Sequence, residues 1–284
     1  MLCASLSGYA EKITLTGSDL LEPIIAKPIE SAAKKNGIDL TLKMEGTYAA
    51  VDAIKNGTAD VAIIALPRSN KLPEGLTALP FAYQAAIVIV NTVNPIEEIT
   101  TKQLTDIFSI STKLRAETWQ QIGVKNIGLR NIMPITTSLS DNVVVELFKY
   151  TAMNGTNIGQ WVYVAENKNT IYNMIKANNS AIGIIGKLDA ENGNLIKIVS
   201  VSKSEDDGTK AYAFKPDRDN IFNGDYPLTL PFYIVFKKEN AKKIKSFARI
   251  LLSDDIANKI DKTDFFSAPA SSRKKSIFNL DIPQ

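Results

Sequence analysis

Residues 13–66 read ITLTGSDLLEPIIAKPIESAAKKNGIDLTLKMEGTYAAVDAIKNGTADVAIIAL, and their pattern decides the fold. Short β-like runs at 13–16, 40–44 and 60–66 alternate with helical runs at 20–35 and 48–55. In the first helical run Leu21, Ile24, Ile25, Ile29, Ala32 and Ala33 recur every three or four positions and form one apolar stripe. Pro28 weakens its middle, and Asn36-Gly37 ends it with a residue able to take the left-handed C-cap conformation. Val61 to Leu66 is apolar without alternation, as expected of a parallel strand covered on both faces. This β-α-β-α-β opening sets the class as α/β.

Outward from that stretch, the alternation restarts. A buried strand is expected at 85–90, a loop at 91–99 containing Asn94-Pro95, a helix at 101–110, and strands at 132–136, 162–165, 182–185 and 195–201. Residues 202–209 are polar and acidic and read as a surface turn. A strong strand at 232–236, helices at 241–252 and 255–260, and an irregular tail over the last twenty residues complete the chain. The expected organisation is 11–88 plus 202–284 as lobe I and 89–201 as lobe II, each a mostly parallel sheet flanked by helices. Residues 1–10, MLCASLSGYA, carry no charge and place Gly8 and Ala10 where a cleavage site wants small residues. They read as a signal-peptide remnant or a disordered N-terminus, with export favoured and a lipid anchor at Cys3 disfavoured by Leu2 before it. No stretch reaches the roughly 18–20 apolar residues that span a bilayer.

Composition narrows the chemistry. Of 284 residues none is histidine, which removes the commonest general base, the usual imidazole metal ligand and every imidazole-dependent triad. Cys3 stands alone, so it can build neither an intramolecular disulfide nor a thiolate cluster. The net charge of +3 comes from 33 basic and 30 acidic residues mixed along the chain, so no nucleic-acid surface is implied, while a small anion is compatible. No phosphate-binding lysine loop and no serine nucleophile elbow is present.

Binding chemistry gathers at turns. Thr16-Gly17-Ser18-Asp19 lies between a strand and a helix, the place where open α/β sheets bind ligands. Gly17 admits close backbone approach, and Ser18 or Asp19 is positioned to cap the helix while unpaired N–H groups face outward. Glu45-Gly46-Thr47-Tyr48 repeats the location and the chemistry. Arg68, after the third strand, offers a guanidinium to an anion at the same edge. Farther on, Thr136, Thr137, Ser138 and Ser140 form a hydroxyl-rich loop before an apolar helix, with Asp141 and Asn142 as caps or ligands. A plain helix cap is the competing reading at each turn. Glu45, Asp60 and Asp141 are a weaker candidate set for metal or acid/base work, because nothing in their spacing makes them converge.

With these residues in view, the chain resembles the periplasmic phosphate-binding component of phosphate ABC transporters, a type II periplasmic binding protein family. The resemblance runs over most of the chain. It is carried by the opening strand and helix, by MEGTYAAVDAIKNGTADVAIIALPRS, by AIGIIG and by YPLTLPFYIVFKK. Most specific is NPIEEITTKQLTDIFSI followed by ETWQQIG, which matches the family's Asn-Pro, its Thr-x-x-Gln-Leu helix start, Ile-Phe-Ser and a tryptophan. The resemblance implies a two-lobed clamp with hinge strands, a small oxyanion (phosphate first) in the cleft, an ABC permease as partner, no cofactor, and a monomer in the periplasm.

The sequence departs from the family at one anchor. Where the family carries an arginine and then Ser-Gly-Thr, this chain has Thr137 and then Ser140-Asp141-Asn142, and the serine-rich approach to Arg68 is Ala65-Leu66-Pro67. Losing a guanidinium and adding a carboxylate weakens a buried anion, unless Asp141 accepts the proton of hydrogen phosphate. The same departure motivates a second reading, a sensor or surface interaction protein on the same scaffold. The set expected to bind ligand is Thr16, Gly17, Ser18, Gly46, Thr47, Arg68, Ser138, Ser140, Asp141 and Asn142, with no catalytic residue and no metal.

Overall fold

The computed structural model describes residues 11–125, 128–129, 131–138, 143–204 and 211–281. The chain divides into two compact units, one ending at Ala82 and resuming at Pro231, the other spanning Tyr83–Leu230. The first unit opens with β1 (Glu11–Gly17), α1 (Glu22–Lys35), β2 (Ile38–Lys43), α2 (Thr47–Asn56) and β3 (Val61–Ala65), and the chain leaves it within β4 (Leu76–Ala85). The second unit holds β5 (Ile87–Asn91), β6 (Glu98–Thr100), α3 (Thr101–Phe108), β7 (Met133–Thr137), α4 (Val143–Ala152), β8 (Tyr163–Ala165) and α5 (Lys168–Ala177). It continues through β9 (Ala181–Ile185), β10 (Ile196–Ile198), β11 (Ser200–Ser202) and α6 (Arg218–Asn223), and the chain returns within β12 (Thr229–Lys237). The first unit then closes with α7 (Ala241–Leu251), α8 (Asp254–Asp261), β13 (Phe265–Ser267) and α9 (Ala270–Asp281).

The first unit's sheet runs β13-β4-β12-β3-β1-β2. Its β2, β1 and β3 are parallel, with Leu15 beside Leu42 and Gly17 beside Ile63, so the carboxyl ends of all three lie at one edge. The expected stripe of α1 buries Ile25, Ile29 and Ala33, and each buried isoleucine contributes about 1.5–3 kcal/mol. The second unit's main sheet runs β10-β5-β9-β7-β8, and β11 and β6 form a separate pair. Both main sheets are mixed: β12 runs antiparallel to β3, and β5 antiparallel to β9 and β10. The α/β class holds.

The quoted 94–110 motif has a structural job. Thr100 and Gln103 form a capping box at the start of α3: the Gln103 N–H donates to Thr100 Oγ1 at 3.1 Å and the Thr100 N–H to Gln103 Oε1 at 2.8 Å. Asn94 Nδ2 donates to the Asn179 carbonyl at 2.9 Å, and the fully buried Trp119 donates Nε1–H to the Ser180 carbonyl at 3.1 Å. These residues hold the second unit's core together.

Several expectations change. The single strand expected at 85–90 is two, because the Ala86 N–H donates to Leu228 O at 2.9 Å and its carbonyl accepts from the buried Tyr226 hydroxyl at 2.8 Å. Burial pushes the Tyr226 phenol well above its usual pKa, so it stays a donor. The stretch 195–201 splits into β10 and β11, which belong to different sheets. The described residues 202–204 and 211–230, assigned by sequence to lobe I, lie with the second unit: Val201 and Phe214 exchange backbone hydrogen bonds of 2.9 and 3.0 Å, and Phe222 meets Tyr83 edge-on with ring centroids 6.0 Å apart. Residues 1–10, including Cys3, lie outside the described residues. No described helix is long and apolar enough to cross a membrane.

The expected irregular tail is β13 and α9. It is fastened by Arg273, 7% exposed, whose Nε donates to the Leu252 carbonyl at 3.1 Å, one Nη to the Ala268 carbonyl at 2.6 Å, and the other to Asp254. Replacing Arg273 by Ala strands two buried carbonyls. In urea unfolding followed by circular dichroism, Arg273→Ala is expected to lose roughly 2–4 kcal/mol. Unchanged stability would show that the tail docks without this side chain.

Candidate functional site

The carboxyl edge of β2-β1-β3 gathers three turns. At the end of β1, a Cβ on Gly17 would lie 2.4 Å from the Ile63 carbonyl oxygen, so only glycine lets this strand end approach β3. Ser18 then donates its N–H to that same oxygen at 2.7 Å. Gly46 has φ +99°, a backbone state reserved for glycine, and its N–H donates to the Gly17 carbonyl at 2.9 Å. Thr47 Oγ1 accepts from the Ala65 N–H at 3.1 Å. The first tie binds the first turn to the second, and the other binds the second turn to β3.

These ties leave donors over. Thr47 Oγ1 receives a hydrogen bond, so its own O–H is directed elsewhere. Helix α2 begins at Thr47 and its first α-helical bond is from the Ala50 N–H to Gly46 O at 3.0 Å, so the N–H groups of Thr47, Tyr48 and Ala49 have no intrahelical acceptor. Together with the helix dipole they form an electropositive cluster suited to an oxyanion. Thr16 and Ser18 are almost wholly buried beneath this edge.

Two local expectations are corrected. Neither Ser18 nor Asp19 caps α1. Its N-cap is Leu21 with no side-chain cap, because 18–22 turn first through Leu21 N–H to Ser18 O and Glu22 N–H to Asp19 O, and Pro23 then sets the helical φ. Strand β7 runs one residue past the expected strand end at Thr136, so Thr137 is a strand and not a loop residue, and the two pair with Val164 and Ala165 of β8. Asp60 accepts from the Thr14 N–H at 2.9 Å and from Lys243 Nζ at 2.6 Å, so it braces the sheet, and the described residues contain no acidic or cysteine group of three suited to a metal.

Of the expected ligands, the structure brings Gly17, Ser18, Gly46 and Thr47 together through the ties, with Thr16 one residue behind. Arg68 is exposed on the turn after β3, at the same sheet edge but outside both ties. In the second unit Ser138 follows β7 directly, whereas Ser140, Asp141 and Asn142 lie outside the described residues. Thr136 and Thr137, 1% and 5% exposed, have hydroxyls with no hydrogen-bond partner among the described residues. They sit at the carboxyl end of a parallel strand, where a buried unpaired hydroxyl is the kind of group a ligand satisfies. Sequence reading expected helix N-terminal amides at this turn, and the structure identifies them as those of Thr47, Tyr48 and Ala49.

A family model described as a PBP superfamily domain matches residues 5–255. Protein SphX of Synechococcus elongatus is 27% identical over 275 residues, covering 92% of this chain and 78% of that protein. The phosphate-binding protein PstS of Pseudomonas aeruginosa is 23% identical over 300 residues, covering 97% and 89% respectively. Among solved structures, a possible phosphate binding protein from Planctomyces limnophilus aligns with a TM-score of 0.73 at 20% identity, over 96% of this chain and 98% of that one. PstS from Borrelia burgdorferi aligns with a TM-score of 0.72, also at 20% identity, over 90% and 98%. At such identity the solved structures speak for the fold.

The two glycines are constrained differently, and substitution separates them. Gly17→Ala drives a Cβ into backbone, while Gly46→Ala meets open space and only backbone strain. Each is expected to cost about 1–3 kcal/mol in thermal or urea unfolding. Amide exchange of Ser18 is expected to quicken in Gly17→Ala and to stay slow in Gly46→Ala; equal protection in both would refute the close-approach argument.

Proposed function

The chain belongs to the PBP superfamily, and from that premise we propose that it is a solute-binding protein for a small oxyanion, phosphate first, delivered to an ABC permease. The observation that carries this reading is the pair of ties at Gly46 and Thr47, which holds the Thr47 hydroxyl and the first amides of α2 unspent at the sheet edge. Such donors bind an oxyanion without a counter-charge. They recognise charge and shape and supply no proton transfer, so the function is binding and not catalysis. The printed names of PstS from Pseudomonas aeruginosa and of the Planctomyces limnophilus structure point to phosphate among the oxyanions.

In this reading Thr16, Gly17 and Ser18 support the first turn, Gly46 and Thr47 bind directly, and Arg68 adds long-range attraction. Thr137, Ser138, Ser140 and Asn142 are further neutral donors expected from the sequence. Asp141 is proposed to accept a hydrogen bond from the protonated oxygen of hydrogen phosphate, a donor that sulfate at neutral pH lacks. The protein acts outside the cytoplasm, after export, as a monomer.

Isothermal titration with phosphate tests the reading, and no heat at millimolar ligand would sink phosphate as the solute. Thr47→Val removes a hydrogen bond to a charged group and is expected to weaken phosphate by roughly 10- to 150-fold, or about 1.5–3 kcal/mol. Thr47→Ser restores most of the affinity. Asp141→Asn is expected to raise sulfate affinity relative to phosphate, and an unchanged ratio would remove Asp141 from the selectivity argument.

A further inference from the structure

Strand β4 holds a side chain whose polar group does nothing for the fold. Gln84, 2% exposed, stands in a run of buried residues from Phe81 to Val90, and its Oε1 is buried without a hydrogen-bond partner. Its Nε2 makes no hydrogen bond among the described residues either. Burying an amide unpaired costs stability, and a methionine of nearly the same size would fill the space without that cost. Such a group is explained by a partner that arrives from outside the fold.

Gln84 also stands at the edge where the oxyanion donors gather. The Leu66 N–H, just past β3, donates to the Pro231 carbonyl at 3.0 Å, and the Ala86 N–H, just past β4, to the Leu228 carbonyl at 2.9 Å. The start of β12 therefore lies between the carboxyl ends of β3 and β4, and these ends share one edge of the sheet. Two strand spacings, about 10 Å, separate β4 from β3. A glutamine amide reaches about 5 Å from its Cα and a hydrogen bond about 3 Å more, so an oxyanion seated on the Thr47 donors is within range. The buried atom selects the chemistry: Oε1 only accepts, so its partner is a donor. Phosphate near neutral pH carries O–H beside its acceptor oxygens, and sulfate does not. We propose that Gln84 is a specificity-determining residue of the oxyanion site, its Oε1 accepting from a phosphate hydroxyl and its Nε2 donating to a second phosphate oxygen. This inference rests on the oxyanion function proposed above.

Isothermal titration of the full chain with inorganic phosphate tests it, beside urea unfolding without ligand. Gln84→Met keeps the volume and removes both amide groups. It is expected to weaken phosphate by roughly 10- to 150-fold and to leave the unliganded chain as stable as the parent or more so. A merely structural amide would give the reverse, a less stable chain of unchanged affinity. Gln84→Glu keeps the shape but sets a carboxylate beside the anion, and is expected to weaken phosphate at least as far. Sulfate is expected to bind the parent at least roughly tenfold more weakly than phosphate. Parent-like phosphate affinity in Gln84→Met, or equal binding of sulfate and phosphate by the parent, overturns this inference and leaves the oxyanion function standing. A parent that binds no phosphate overturns both.

Discussion

The approach of β1 to β3 at Gly17 is the contact on which the site's order depends. With a Cβ excluded by the Ile63 carbonyl 2.4 Å away, the strand end can press against its neighbour, and that oxygen takes the Ser18 N–H. The Gly17 carbonyl is then placed to accept from Gly46, and Gly46 sets where α2 begins. Thr47 follows, held by the Ala65 N–H. The cluster of donors is therefore the end of a chain of backbone contacts, each short and each made by a neighbouring turn. It needs no charged side chain at its centre.

Much of this was legible in sequence, and for physical reasons. The first unit's β-α-β-α-β order follows from a clean three-to-four spacing in α1 and an unbroken apolar run in β3, both signals that tertiary packing does not reverse. The glycines at 17 and 46 marked the two turns that meet at the sheet edge, because a glycine between strand and helix lets backbone come close to backbone. The Thr100–Gln103 capping box announced α3 in the letters themselves.

Other features were silent because they are set by distant partners. Helix α9 lacks a continuous apolar stripe and is anchored through the guanidinium of Arg273, so its sequence looked like a solvated tail. The break at Ala86 depends on Tyr226 and Leu228, 140 and 142 positions away, and no local pattern reveals it. Thr137 read as a loop residue; only the register with β8 and burial show Thr136 and Thr137 as strand-end hydroxyls without partners among the described residues.

In the proposed function, oriented neutral dipoles at the strand edge recognise a small anion at short range. The most direct test of the central claim is a phosphate titration followed by amide chemical shifts of the ¹⁵N-labelled protein. The account predicts that the N–H resonances of Thr47, Tyr48 and Ala49 move downfield together and saturate with a common affinity. Shifts that leave these three amides unmoved at saturating phosphate would contradict it.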